Sequence, residues 1–536
     1  TKPILKRQIM LLNAIIVNCL THLKMAYLLS LSLSKSSKST LLVGGLTVFS
    51  RLLGFWRDVL IARYFGVNLA TDAFFAAFRL PNLLRRLFAE GAFSQAFVPT
   101  LTLYKAENNT VELQQFINKI ASYLTLFMLI MTFFCVMIAP ILIFICAAGF
   151  DWKSQQHQLA TQLLQIMLPY GFFITLTAFI GSILNTHTKF AIPAFTPALL
   201  NISMIAATLW LTPYVQQPII ALAIGVFIGG ALQLALQLVG LHQLGLFPKL
   251  QQNFQNSTTR RVMTNILPTV FANSATQINF LVNTLIASFL VTGSVSWLYY
   301  ADRLLEFPSG ILGSALTTVM LPTLAKNYIN QELDKFSQTL DWGLHFIALL
   351  GVPATIGLFF LSEPMLSILF GSTEFTAYDV HACAQALRAY ALGLVGFLTV
   401  KVLTPAFTIC HIHAVAVRYA WVCLATNLIL ALLLVQHFAH VGIALASSLA
   451  TSLNAALLLI FLWKKQRYKP PKNWRVFSLQ ILFSSVVLTE TLRYFSNFAS
   501  LSAFYLVKCV ILGGASYFAG LFLSGYFYTH KKNYDF

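Results

Sequence analysis

Charge is what this sequence is short of. Asp, Glu, Lys and Arg together make up 10% of its 536 residues, 58% are hydrophobic, and the mean hydropathy is +0.75. So little charge cannot cover a water-exposed surface of that size, which excludes a soluble globular protein and assigns the chain to lipid. Acids are the scarcer sign, 16 against 35 Lys and Arg, for a formal net charge of +19. The seven cysteines, Cys19, Cys135, Cys146, Cys383, Cys410, Cys423 and Cys509, contain no C-x-x-C pair and read as small core residues. His411 with His413, and His437 with His440, lack an acid beside them, so no metal and no other cofactor is expected. Nor is there a D-x-D pair, an H-E-x-x-H run or a soluble domain. A membrane enzyme of the transferase or phosphatase kind would need clustered acids, or a nucleophile with its base, on an aqueous loop. The chain is therefore expected to be a transporter and not an enzyme.

What is present is one apolar run after another. Stretches of about 20 residues, each enough to cross a hydrocarbon core of ~30 Å, recur from Leu41 to Tyr528, about fourteen in all. The fold class is all-α and polytopic. The basic residues form no soluble basic domain, so nucleic acid is not an expected partner. They follow the positive-inside pattern instead: alternate loops carry Lys105, Lys189, Lys249, Arg260, Arg261 and Lys326, then a cluster from Lys464 to Arg475, whereas the opposite loops carry little beyond Lys153 and Arg493. Both ends of the bundle are then cytoplasmic, which requires an even number of spans. Residues 1–38 differ. Lys2, Lys6 and Arg7 precede a short apolar run and the Ser-rich LSLSKSSKST, with no A-x-A-like site after it. This segment is expected to be a peripheral extension outside the core and not a cleaved signal peptide.

An internal repeat organises the rest. Leu60, Ile61 and Ala62 recur as Leu285, Ile286 and Ala287; Pro99, Thr100 and Leu101 as Pro322, Thr323 and Leu324; Pro140 as Pro364; Ala221, Leu222 and Ala223 as Ala444, Leu445 and Ala446. The offset is nearly the same in every case, and that agreement is the signal, since apolar triplets alone recur by chance. A repeat holding six spans implies two six-helix lobes in the same orientation with a site between them. The expected divisions are an N-lobe over 39–245, a C-lobe over 246–465, and two further C-terminal helices with a tail over 466–536.

Three spans carry charge where insertion of a single arginine costs roughly 2.5 to 3.5 kcal/mol. The first holds Arg51, Arg57, Asp58 and Arg63; the second Asp72, Arg79, Arg85, Arg86 and Glu90; the eighth Asp302, Arg303 and Glu306. Thr47, Arg51, Gly54 and Asp58 form one helical stripe, with Arg57 about 120° away, so that either Gly54 bends the helix or Arg57 sits at a wide cavity mouth. Asp72, Arg79, Asn82 and Arg86 form a second stripe, with Pro81 expected to turn Arg85 inward. For the acids, internal ion pairing and a direct role both fit. For the arginines pairing is insufficient, because seven face five carboxylates. Arg63 and either Arg85 or Arg86 are expected to snorkel to a membrane surface, and the remainder need an anion. Arginine suits phosphate, since its planar fork donates paired hydrogen bonds and stays protonated in poorly solvated places.

The same residues carry a resemblance. FSRLLGFWRDVLIARYFG, ATDAFFAAFRLPNLLRRLFAEGAFSQAFVPTL, ILNTHTKFAIPAFTPALLNISMI and SVSWLYYADRLLEFPSGILG resemble the MurJ (MviN) lipid II flippases of the MOP transporter superfamily, from about residue 38 onwards. The resemblance implies a V-shaped bundle of two lobes around a central cavity. It also implies two C-terminal helices that form a groove for a polyprenyl tail, a bacterial inner-membrane location, and lipid II as substrate, with membrane lipids as the other partner and the monomer as working unit. It assigns substrate binding to Arg51, Arg57, Arg85 and Arg303, each within its matching motif. Asp58, Asp72, Arg79, Asn82, Arg86, Glu90, Asp302 and Glu306 are expected to support them, Arg79 standing where Lys is common. Some members of the superfamily hold a cation on carboxylates of the second lobe. Here the spans near 262–291 and 414–436 contain no Asp or Glu, although Asn273, Asn279, Asn283 and Asn427 offer oxygens. The alternative is a multidrug exporter, or an exporter of another polyprenyl-linked oligosaccharide, of the same superfamily. A cavity for cationic drugs would be rich in acids, and the arginine surplus argues against that.

Overall fold

A computed structural model describes residues 35–87, 93–106, 110–249, 274–471, 473–496 and 502–526. The extension expected over 1–38 lies outside them apart from its last four residues, and Glu90 lies outside them as well. Among the described residues the chain is helical, without a strand. The first half contains α1 (Lys35–Phe65), α2 (Leu69–Leu87), α3 (Phe93–Ala106), α4 (Thr110–Met137), α5 (Ala139–Cys146), α6 (Gln155–Met167), α7 (Pro169–Thr186), α8 (Ala191–Ala206) and α9 (Ile220–His242). The second contains α10 (274–288), α11 (Ser294–Ile329), α12 (Leu333–Phe360), α13 (Ser362–Leu369), α14 (Ala377–Ala391), α15 (Leu394–Ile409) and α16 (His413–Lys464), followed by α17 (Trp474–Ser496) and α18 (Ala503–Leu523).

The element boundaries repeat as the sequence does. A long helix followed by a short one, α4 then α5, returns as α12 then α13, and both starts shift by the same interval, from Thr110 to Leu333 and from Ala139 to Ser362. The α6 and α8 starts, Gln155 and Ala191, return at almost that interval as the α14 and α16 starts, Ala377 and His413. Proline sets the breaks: Pro140 and Pro169 each stand in the first turn of a helix, where the missing N–H costs nothing. Ser154 caps α6 through the His157 amide, and Thr376 with Asp379 forms a capping box on α14.

Nine described helical stretches are long and apolar enough to cross a membrane, or ten if α14 and α15 form one span across their 47° bend. The count of about fourteen is not reached on that criterion. The shortfall has physical causes: α1 and α2 are interrupted by the charges of the site, α10 begins at the edge of the described residues, and α16 counts once while holding two passes. Its 52 residues would reach about 78 Å if straight, but Ala439 is non-helical at φ 47°, ψ −130°. Beyond that turn, a Cβ on Gly442 would meet the Leu434 carbonyl carbon at 2.6 Å and the Val435 nitrogen at 2.9 Å, so the chain has folded back.

One apolar core runs from Val59 and Phe74 through Trp297 and Tyr300 to Leu462, continuous across both halves. At its centre Phe75 stacks on Tyr299 at 3.9 Å and meets Tyr300 edge-on at 5.3 Å, tying α2 to α11. The C-terminal pair packs on itself through small residues. A Cβ on Gly520 would stand 2.9 Å from Ser484 Cα, the close approach that holds helices together in lipid. The pair docks on α12, where Tyr517 donates to the Leu349 carbonyl (3.0 Å) and Asp341 accepts from Tyr468 (2.8 Å) and Trp474 Nε1 (2.7 Å).

The two halves are fastened at the end that carries the turns 66–68, 147–154, 289–293 and 370–376. Asp72 of α2 caps α11: its carboxylate accepts from the Gly293 amide (2.6 Å), the Ser296 amide (2.9 Å) and the Ser296 hydroxyl (2.6 Å). The Gly149 amide donates to Ser288 Oγ at 2.9 Å. Arg63, expected to snorkel, instead donates to the Ile368 and Leu369 carbonyls (2.5 and 2.8 Å) at the end of α13. The reason is local: those last carbonyls have no intrahelical partner, and a cation satisfies them.

Candidate functional site

The charges of α1, α2 and α11 meet where the halves join. Arg57 is 6% exposed. It donates to Asp58 Oδ1 through Nε (3.0 Å) and Nη2 (2.7 Å), to Asn201 Oδ1 of α8 (2.9 Å) and to the Tyr299 hydroxyl (3.4 Å). Asp58, 2% exposed, also accepts from Tyr299 (3.1 Å) and faces Arg303 Nε at 3.4 Å. Arg303 pairs with Glu306 at 2.6 Å, and Glu306 binds Arg86 through its other oxygen at 3.0 Å. The result is a continuous chain of charge, Arg57–Asp58–Arg303–Glu306–Arg86, that crosses from α1 through α11 to α2. Tyr299 lies beneath it, with the Arg303 guanidinium 4.9 Å above its ring.

This arrangement corrects the helical-phase argument for Arg57. The α1 helix runs unbroken through Gly54, and Arg57 is at no cavity mouth. Gly54 and Arg57, three residues apart, both face Asn201, while Arg51 and Asp58 face α11. From the α8 side the long Arg57 side chain turns back to its sequence neighbour Asp58. Helical phase places a Cβ, whereas a guanidinium reaches several ångströms beyond it.

The remaining residues divide by position. Arg51 is exposed, and its Nη1 lies 2.6 Å from where a Cβ on Gly310 would stand. Arg79 donates to Thr284 (3.0 Å) and lines a small cavity with Asp302, Phe280, Asn283 and Tyr390. Arg85 is tethered to Asn82 on its own helix at 3.1 Å, and Arg86 is the α2 arginine bonded to Glu306. Asp72 is spent as the cap of α11, away from the arginine chain. Asn283, Asn427 and Ser447 close a buried ring of hydrogen bonds of 2.8 to 3.0 Å, in which the Asn283 amide oxygen accepts from Asn427 and the Asn427 amide oxygen accepts from the Ser447 hydroxyl. Among the described residues no group of His, Cys, Asp and Glu has the arrangement of a metal site.

Two polar contributors escaped sequence reasoning. Asn201 lies in a quoted motif but carries no charge to mark it. Lys401, the lone cation of α15, donates to the Ser309 carbonyl at 3.1 Å and stands within electrostatic reach of Glu306, Arg51 and Arg86. A single Lys in LVGFLTVKVLTPAFTI was signal enough.

Chemically, the site offers forked donors held open by shared carboxylates, in a bundle that otherwise presents apolar side chains. Donors of this kind are suited to a multivalent oxyanion.

The family model described as lipid II flippase MurJ matches residues 61–510. The chain is 39% identical over 503 residues to the probable lipid II flippase MurJ of Vibrio cholerae, covering 91% of this chain and 96% of that one. It is 36% identical to the lipid II flippase MurJ of Burkholderia cenocepacia, covering 92% and 98%. A solved structure of lipid II flippase MurJ in an inward closed conformation superposes with a TM-score of 0.79 at 29% identity, over 91% of this chain and 99% of that chain. An inward-facing multidrug resistance MATE family transporter of the MOP superfamily shares the fold, at TM-score 0.61 and 13% identity.

Proposed function

The chain belongs to the lipid II flippase MurJ family, and from that membership we propose that it carries lipid II across the bacterial inner membrane, from the cytoplasmic to the periplasmic leaflet, by alternating access. The observation that carries this reading is the charge chain Arg57–Asp58–Arg303–Glu306–Arg86 at the junction of the halves. Arg51, Arg57, Arg85 and Arg303 hold the diphosphate, while Asp58 and Glu306 keep the guanidiniums apart and aimed. The polyprenyl tail stays in lipid beside the C-terminal pair.

The working division is an N-lobe over 39–245, a C-lobe over 246–465 and the helical pair beyond, acting as a monomer. Both ends of the bundle are cytoplasmic. The fastened end, reached at the C-terminus of α1, is then periplasmic, and the arginines open toward the side from which lipid II arrives. A potential negative inside drives the anion outward by about 2.3 kcal/mol per charge per 100 mV crossed. The same field returns the empty cationic cavity inward.

Depletion of the protein in cells tests the reading. Lipid II is expected to vanish from the outer leaflet while its cytoplasmic pool grows, and unchanged exposure on the outer leaflet sinks the proposal.

A further inference from the structure

Beside Arg79 and Arg85, which are held by Thr284 and Asn82, two further cations at the site stand outside the ion-pair chain. Arg57, Arg303 and Arg86 share Asp58 and Glu306, and Arg79 and Asp302 face each other across their cavity. Arg51 and Lys401 have no carboxylate within ion-pair distance among the described residues. Both are exposed, although Lys401 lies eight residues, about 12 Å, inside the end of α15. Its neighbours are the charges of other helices, Glu306, Arg51, Arg86 and Asp302. An exposed cation at that depth, turned toward charge and not toward lipid, lines a hydrated cavity.

Arg51 and Lys401 also converge on a single turn of α11. Lys401 Nζ reaches the Ser309 carbonyl, its Cδ lies 2.8 Å from where a Gly313 Cβ would stand, and Arg51 Nη1 lies 2.6 Å from the equivalent point on Gly310. Two glycines on one helical face thus admit two cations, one from each half of the molecule. The ammonium has three donors and the Ser309 carbonyl occupies one. Seven residues, or about 10 Å, separate Gly310 from Arg303 along the helix.

Resting on the reading of this chain as a carrier of a polyprenyl-linked diphosphate, we propose that Lys401 and Arg51 form its reception site. Lys401 is a further substrate-contacting residue that takes a phosphate oxygen before the diphosphate reaches Arg57 and Arg303. The inner arginines are partly neutralised by Asp58 and Glu306, so an arriving anion meets the cations without a paired carboxylate first, at Arg51 and Lys401. Those two repel across the gap between the halves, and a phosphate between them reverses the sign of that force. Reception and closure are then one electrostatic event.

The test uses the full chain in nanodiscs, with binding of polyprenyl diphosphate and of lipid II measured separately. Lys401→Gln keeps a donor for the Ser309 carbonyl and removes only the charge. It is expected to weaken both ligands by about tenfold, the scale of one charge-assisted hydrogen bond, with a shallower salt dependence and an unchanged unfolding midpoint. Lys401→Arg is expected to bind within about threefold of the unmodified chain. Equal affinity for the Gln variant overturns the inference and leaves the carrier reading intact. A loss for lipid II without one for polyprenyl diphosphate overturns the phosphate assignment, placing Lys401 against the headgroup instead. If the unmodified chain binds neither ligand, the carrier reading falls together with the inference.

Discussion

Asp58 accepts hydrogen bonds from Arg57 and Tyr299 and faces Arg303, with 2% of its side chain exposed. Two guanidiniums from different helices depend on one carboxylate that water does not reach. Replacing it with the isosteric amide, Asp58→Asn, leaves both without their shared counter-charge, and breaking a buried pair in this way costs about 3 kcal/mol. The expected result is a clear drop in the unfolding midpoint in detergent, together with loss of flipping. Glu306→Gln is expected to cost much less stability, because the Glu306 side chain is 37% exposed and water compensates it. Equal losses for the two variants would contradict this ordering. At this scale the sequence was informative where charge is costly: the arginine surplus over carboxylates pointed to three helices whose charges meet in the structure. It was silent on Asn201, since a neutral amide in an apolar run looks like any other, and divided on which α2 arginine reaches Glu306. The stripe of Asp72, Arg79 and Arg86 favoured Arg86, whereas Pro81 was expected to turn Arg85 inward, and the contact falls to Arg86.

The helices are interrupted at places that differ in how they are written. Pro140, Pro169 and Pro364 announce their breaks, because proline removes a donor and fixes φ. The reversal inside α16 has no such marker. It falls on Ala439, at φ 47° and ψ −130°, between His437 and His440, with no Pro nearby and its one glycine, Gly442, three residues past the turn. His440 is held there by contact with the Ala382 carbonyl (2.9 Å) and the Trp297 ring (4.9 Å). Tertiary packing therefore imposes a backbone that local sequence does not favour. A residue with a Cβ in such a region stores about 1–3 kcal/mol, and the Ala439 methyl is exposed, so it gains no packing in return. Ala439→Gly should therefore raise the unfolding midpoint by a few degrees, a net of about 1 kcal/mol once the greater freedom of glycine in the unfolded chain is deducted. A lower midpoint would show that the turn is not strained.

Across the whole molecule, the repeat was legible because duplicated elements keep their spacing, from Pro140 and Pro364 to the paired starts of α4 and α12. The fastening of the halves was not, because it consists of backbone groups of one half meeting side chains of the other, far apart in the chain. Asp72 is its strongest member, a carboxylate 2% exposed that accepts from two amides and a hydroxyl of the α11 start. If the halves rock, these bonds break each time this end opens, and they set how much of the time it stays shut. Asp72→Ala removes all three and strands the Gly293 and Ser296 amides, a net penalty on the fastened state of about 3 kcal/mol, or roughly 10² in population. Spin labels at Leu69 and Val291, exposed positions flanking the contact, report the separation directly. A single short distance is expected with Asp72 intact, and a second, longer one in the Ala variant, with Asp72→Asn between them because its one oxygen still accepts. If the distances in the Ala variant match those of the unmodified chain, Asp72 only caps α11 and the halves are held shut by something else.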